Sequence, residues 1–179
     1  VSSSLKSVNV YSFKRFSNQF FTKLDTTPKF PLIPDEELLG KPTVGEISRL
    51  IGAEVLYGAN QLHRPVYNFT VAAMQLRNFL TRIAYGSLII TPGDRADVIV
   101  ACLAAVSSTS IENIAGILLT GGLVPEEPIW RLITGLPRMV PILSVKENTF
   151  STATMVDKIH AKISPYDDQK ITRALELFE

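Results

Sequence analysis

Two short segments of this 179-residue chain carry groups that could hold a small anion. Thr91-Pro-Gly-Asp-Arg95 sets a hydroxyl, a glycine, a carboxylate and a guanidinium close together, and Thr120-Gly-Gly122 adds a second hydroxyl and two adjacent glycines. The Arg95 guanidinium is a planar fork suited to carboxylate or phosphate. Glycine lets a ligand approach the main chain, and a helix amino terminus presents free N–H groups. Thr91, Gly93, Asp94, Arg95, Thr120, Gly121 and Gly122 are therefore the candidate ligand-binding residues, with Arg95, the two hydroxyls and the Gly121–Gly122 amides as donors. The same residues admit a plainer reading. Asp94 caps a helix with Asp97 three residues on, Arg95 is its ion partner, and the glycines only turn the chain.

Other residues with chemical potential offer less. Gly40-Lys-Pro-Thr43 imitates the tail of a phosphate-binding loop, but Asp35 stands where the first glycine belongs and Pro42 where Ser or Thr should hold magnesium. His63 and His160 are far apart in sequence with no cluster of acids or thiols beside them, so no metal site is expected. Cys102 lies among alanines and valines and reads as a small buried hydrophobe. Asp167-Asp168 follow Ser164-Pro165 at a helix start, where acids suit the dipole. With no nucleophile elbow and no dinucleotide fingerprint, the residues themselves supply no catalytic constellation and no cofactor site.

The elements that must position these residues follow from patterning. Ser87–Thr91, Ala115–Thr120 and Val140–Val145 are short apolar runs bounded by glycine or proline, the mark of strands covered on both faces. Ala53–Tyr57 and Val66–Val71 are further strand candidates. Between and around them, helices are expected over 73–83, 94–107, 125–133 (with Pro125 in its first turn), 149–161 and 167–178. Thr43-Val-Gly-Glu46 is a capping box opening a helix that stops at Gly52. Strands alternating with helices imply right-handed crossovers, and hence an α/β fold, three-layer α/β/α with a mainly parallel sheet. Ligands in such folds sit beyond the carboxyl ends of the strands, where both candidate segments fall.

Composition narrows the function classes. An apolar content of 46% and a net charge of +1 exclude a disordered chain. The longest apolar run, Val98–Val106, spans nine residues against the roughly 20 a membrane helix needs, so no membrane partner is expected. The near-neutral charge hides a basic head. Residues 1–30 carry +4 and the remainder −3, which leaves the body without the basic face that nucleic acid requires. A lone cysteine points to a reducing, cytoplasmic setting. The head is also rich in serine, as an organelle transit peptide would be, which would place the protein in a plastid or other organelle. However, Phe13, Phe16, Phe20 and Leu24 form one helical stripe, as the last helix of an upstream domain would. Pro28, Pro31, Pro34 and Pro42 mark an extended connector after it.

Gly93-Asp-Arg-Ala-Asp-Val98, followed by Ile117-Leu-Leu-Thr-Gly-Gly122, resembles the DRTGG domain, in the version found in the middle of long-form bacterial phosphate acetyltransferases. Ile33-Pro-Asp-Glu36, Lys41-Pro-Thr-Val-Gly-Glu-Ile47, Phe69-Thr-Val-Ala-Ala-Met74, Gly135-Leu-Pro137 and Val140-Pro-Ile-Leu-Ser144 fit the same family in order. The resemblance implies a remnant of a P-loop-type domain plus linker over residues 1–42 and the DRTGG α/β domain over 43–179. It further implies a regulatory, non-catalytic role in an enzyme that exchanges acetyl between coenzyme A and phosphate. The implied partners are a C-terminal acetyltransferase domain, a small anionic metabolite effector and further copies of the chain in a homo-oligomer. Two alternatives stay open at this point: a stand-alone anion-binding or dimerisation module, and a small complete enzyme using the Arg95 edge.

Overall fold

A computed structural model describes residues 39–108, 110–111, 113–136, 139–159 and 168–177. The expectations for residues 1–38, for His160 and for Ser164–Asp167 lie outside this set. Helix α1 (Val44–Ile51) opens on the expected capping box. The Thr43 hydroxyl accepts the Glu46 N–H, the Glu46 carboxylate accepts the Thr43 N–H, and Gly52 closes the helix in the left-handed region. Strand β1 (Glu54–Tyr57) follows, then a 3-10 turn at Ala59–Gln61 and strand β2 (Asn68–Val71). The rest alternates: α2 (Leu76–Leu80), β3 (Ser87–Pro92), α3 (Ala96–Ser107), β4 (Gly116–Thr120), α4 (Glu127–Gly135), β5 (Ile142–Ser144), α5 (Thr149–Asp157) and α6 (Asp168–Glu176).

The five strands form one sheet in the order β1-β5-β4-β3-β2, parallel throughout except for β1, which runs antiparallel to β5. Strands β2 to β5 are neighbours in chain order, so their three crossovers all step the same way. Right-handed crossovers must then place α2, α3 and α4 on a single face. The core agrees: Phe79, Val98, Ile99, Leu103 and Ile133 from those helices pack on Ile89, Ile117 and Leu119. Helices α1 and α5 cover the opposite face, where Val44, Ile47 and Val156 meet Leu88, Ile90, Leu118 and Leu143. The α/β/α layering read from the sequence is the observed one. Strands β3, β4 and β5 are buried along almost their whole length, as their unbroken apolar runs require.

Some expected boundaries shift. Helix α2 is a five-residue piece inside the expected span, because the Thr81 hydroxyl bonds the Asn78 carbonyl at 2.9 Å and the chain turns there. The proline in the first turn of α4 is Pro128, not Pro125, which lies before the helix. On the α1 face, the buried Lys170 of α6 reaches the Glu46 carboxylate at 2.9 Å. One glutamate thus closes the capping box of α1 and holds α6.

Candidate functional site

The topology singles out one place on the carboxyl edge. The connection leaving β4 rises to α4 on one face, whereas the connection leaving β5 passes to α5 on the other. Diverging connections of this kind open the crevice in which α/β folds take ligands. Thr120-Gly-Gly122 lies there, and Thr91-Pro-Gly-Asp-Arg95 ends the adjacent strand β3, so the fold brings both candidate segments to one rim.

Their contacts differ from the simplest expectation. Gly121 and Gly122 have φ of +82° and +65°, a conformation that favours glycine at this turn. Their amides are committed: Gly121 N–H donates to the Glu147 carbonyl at 2.7 Å and Gly122 N–H to the Val145 carbonyl at 2.8 Å. The Thr120 and Thr149 hydroxyls bond each other at 2.8 Å. The loop after β4 is therefore laced to the loop after β5, whose Asn148 caps α5 by accepting the Ser151 N–H at 2.9 Å. Sequence reasoning missed this second loop, Val145–Thr149, as part of the rim. The capping Asn148 and the apolar run before it were the available signals.

On the β3 side, Asp94 does not cap α3. The capping position is held by Arg95, whose side chain makes no capping bond, and Asp94 contributes its carbonyl, which accepts the Ala96 N–H at 3.0 Å. The acid that matters locally is Asp97. Arg95 Nε and a terminal guanidinium nitrogen donate to its two carboxylate oxygens, each at 2.8 Å. This hydrogen-bonded pair raises the Arg95 pKa and lowers that of Asp97, while the partial burial of each opposes its shift. The fork that could receive an anion thus already holds a carboxylate of its own chain.

Two further features mark the β3 end. Thr91 is fully buried and its Oγ1 has no hydrogen-bond partner, a state that costs about 1–3 kcal/mol. Gly93 donates to the Thr120 carbonyl at 3.3 Å, and a Cβ at Gly93 would collide with the Leu123 carbonyl. The β3 and β4 loops are interlocked at this point. Elsewhere, Cys102 is buried in α3 and its thiol is pushed up to about 12 by desolvation. His63 is exposed, and no group of three or more metal-ligating side chains occurs among the described residues. No helix of the described residues is long and apolar enough to cross a membrane.

Comparison with known proteins sets this geometry in a family. Residues 46–159, which include both Thr91–Arg95 and Thr120–Gly122, match the family model described as the DRTGG domain. The phosphate acetyltransferase of Nitratidesulfovibrio vulgaris is 46% identical over 151 residues, covering 83% of this chain and 21% of that protein. Those of Synechocystis sp. and Pseudomonas putida are 38% and 33% identical, covering 82% and 77% of this chain and 21% and 20% of theirs. The chain spans about a fifth of the length of these relatives. Among solved structures, the CBS and DRTGG domains of the regulatory region of Clostridium perfringens pyrophosphatase, complexed with the activator diadenosine tetraphosphate, superpose with a TM-score of 0.51. That match has 18% identity and covers 84% of this chain and 65% of the other, a likeness of fold. With the family model spanning the sheet from α1 to the end of α5, and both named segments meeting on one rim, this chain belongs to the DRTGG domain family.

Proposed function

We propose that the chain is the DRTGG portion of a cytoplasmic phosphate acetyltransferase, with the domain proper beginning at the Thr43 cap, and that its work is regulatory. In this reading acetyl passes between coenzyme A and phosphate in a separate C-terminal domain of the parent protein. The observation that carries it is the 46% identity to such an enzyme over 83% of the chain.

The regulatory input is a small anionic effector taken at the ends of β3 and β4, by Thr91, Gly93, Asp94, Arg95, Thr120, Gly121 and Gly122. Such a ligand must displace Asp97 from Arg95. The glycine amides act through the turn they permit, since their hydrogens are already engaged. That the C. perfringens regulatory region takes a polyphosphate activator favours testing nucleotides first. The Gly93–Leu123 contact gives the bound state a route outward, because the loop holding Arg95 cannot move without moving the loop after β4. Assembly into a homo-oligomer belongs to the same reading, since a difference in bound state passes readily across a subunit contact.

A thermal-shift series with pyruvate, phosphoenolpyruvate, nicotinamide and adenine nucleotides, and diadenosine tetraphosphate tests the reading. A ligand at a hundred times its Kd stabilises by about 2.7 kcal/mol. The reading predicts a shift for at least one anion that disappears in Arg95→Ala. Shifts that survive Arg95→Ala unchanged would remove Arg95 from the site. Light scattering over a range of concentrations tests the assembly, and a monomer at every concentration would count against it.

A further inference from the structure

The two laced loops at the β4 and β5 ends present apolar side chains to solvent. Leu123 is 44% exposed, Val124 55% and Phe150 82%. Single exposed apolar residues are ordinary on any surface. Leu123 and Val124 on the loop after β4 and Phe150 in the first turn of α5, on segments joined by the Thr120–Thr149 and Gly122–Val145 hydrogen bonds where the connections diverge, form a patch.

The charges around this patch are unbalanced. Glu54 opens β1 beside Ser144, Asp94 precedes α3, Glu126 precedes α4 and Glu147 precedes α5. All four are exposed and none is in an ion pair among the described residues. Arg95 is neutralised by Asp97 and Arg131 by Glu127. Among the described residues of these segments that leaves Lys146 as the basic group against four carboxylates.

This frame selects among occupants. A second copy docking through the same patch would set carboxylates against carboxylates across a two-fold contact, which costs affinity. An extended phosphate backbone or an acidic lipid surface would have to lie across Glu126 and Glu147 and be repelled, unlike a small anion taken at Arg95. What matches is a segment that inserts apolar side chains into the patch while its lysines and arginines meet the surrounding acids, the pattern of a basic amphipathic helix.

We propose that the carboxyl end of β4 and β5 is a docking surface for a basic amphipathic helix of a partner polypeptide. Phe150, Val124 and Leu123 are its anchors, and Glu54, Glu126 and Glu147 select its charge. The proposal stands on exposure and charge at this rim and does not depend on the identity of any effector.

The test titrates a fluorescein-labelled amphipathic Leu/Lys peptide, and a Leu/Glu peptide of the same pattern, into the full chain and reads fluorescence anisotropy at low and high salt. The Leu/Lys peptide binds, more weakly at high salt, and the Leu/Glu peptide does not. Phe150→Ser and the pair Glu126→Lys with Glu147→Lys each weaken binding roughly tenfold, as loss of a central anchor or of the selecting charges should. Asp157→Lys, at the opposite end of α5, leaves it unchanged. All the substituted residues are exposed, and circular dichroism confirms that each variant is folded. Equal binding of the two peptides, no binding of either, or binding indifferent to the rim variants overturns the proposal. So does a dimer in light scattering that Phe150→Ser dissolves, which would give the patch to a second copy.

Discussion

The interlock between the β3 and β4 loops makes a sharp prediction about Gly93. Its φ lies outside the left-handed region, so conformational freedom is not what demands glycine there; the missing side chain is. A Cβ at Gly93 would overlap the carbonyl carbon and oxygen of Leu123 and sit 3.0 Å from the Leu123 Cβ. The obstacle is mostly backbone, held in register by the Gly121 and Gly122 hydrogen bonds to the β5 loop, and it cannot swing aside as a flexible side chain would. Overpacking in a well-packed site typically costs about 1–3 kcal/mol, and a collision with fixed backbone belongs at the upper end of that range. At roughly 2–4 °C per kcal/mol for a chain of this size, Gly93→Ala should lower Tm by about 6–12 °C. Gly135 is the matched control. It ends α4 with open space around its own Cβ position, so Gly135→Ala should gain up to about 1 kcal/mol from helix propensity. Urea denaturation followed by circular dichroism measures both. Gly93→Ala within about 0.5 kcal/mol of wild type would show that the loops are not interlocked as described, and the route from Arg95 to the rim would fall with it.

Three further outcomes follow from particular contacts. Lys170→Met leaves the Glu46 carboxylate buried without its cation and should destabilise by about 3–5 kcal/mol in denaturant titration, with Glu46→Gln added to it restoring part of the loss. Thr91→Val removes a buried hydroxyl that has no partner and should stabilise by about 1 kcal/mol; a loss of stability would show that the hydroxyl is satisfied after all. Cys102, buried and with its thiol pushed up to about 12, should react with a disulfide reagent only at the rate at which the native protein opens, and immediate labelling would contradict its placement in the core.

The parts of the fold that could be read from the chain are those whose cause is local. Strands β3, β4 and β5 are apolar runs between glycines and prolines, and α1 carries its capping box and its Gly52 stop in sequence. The antiparallel direction of β1 was not legible. It reaches β2 through Gly58 and a 3-10 turn, with no crossover helix to impose a parallel return, and its partner β5 lies far along the chain. The residues at the rim were legible as a set, since strand ends followed by glycine turns and a helix start announce themselves. Their hydrogen bonds were not. Asp94 and Asp97 are equally plausible partners for Arg95 on paper, and only the bidentate geometry assigns the fork to Asp97. The Gly121 and Gly122 amides are taken by the Glu147 and Val145 carbonyls, and the Lys170–Glu46 pair spans 124 positions; no short-range pattern encodes either.

The proposed function has this domain govern chemistry done elsewhere and perform none itself. It is tested most directly by incubating the purified chain with acetyl-coenzyme A and phosphate and following acetyl phosphate. The account predicts no formation above the buffer rate, with or without an added nucleotide. Sustained turnover that co-purifies with the chain and falls in Arg95→Ala would contradict it.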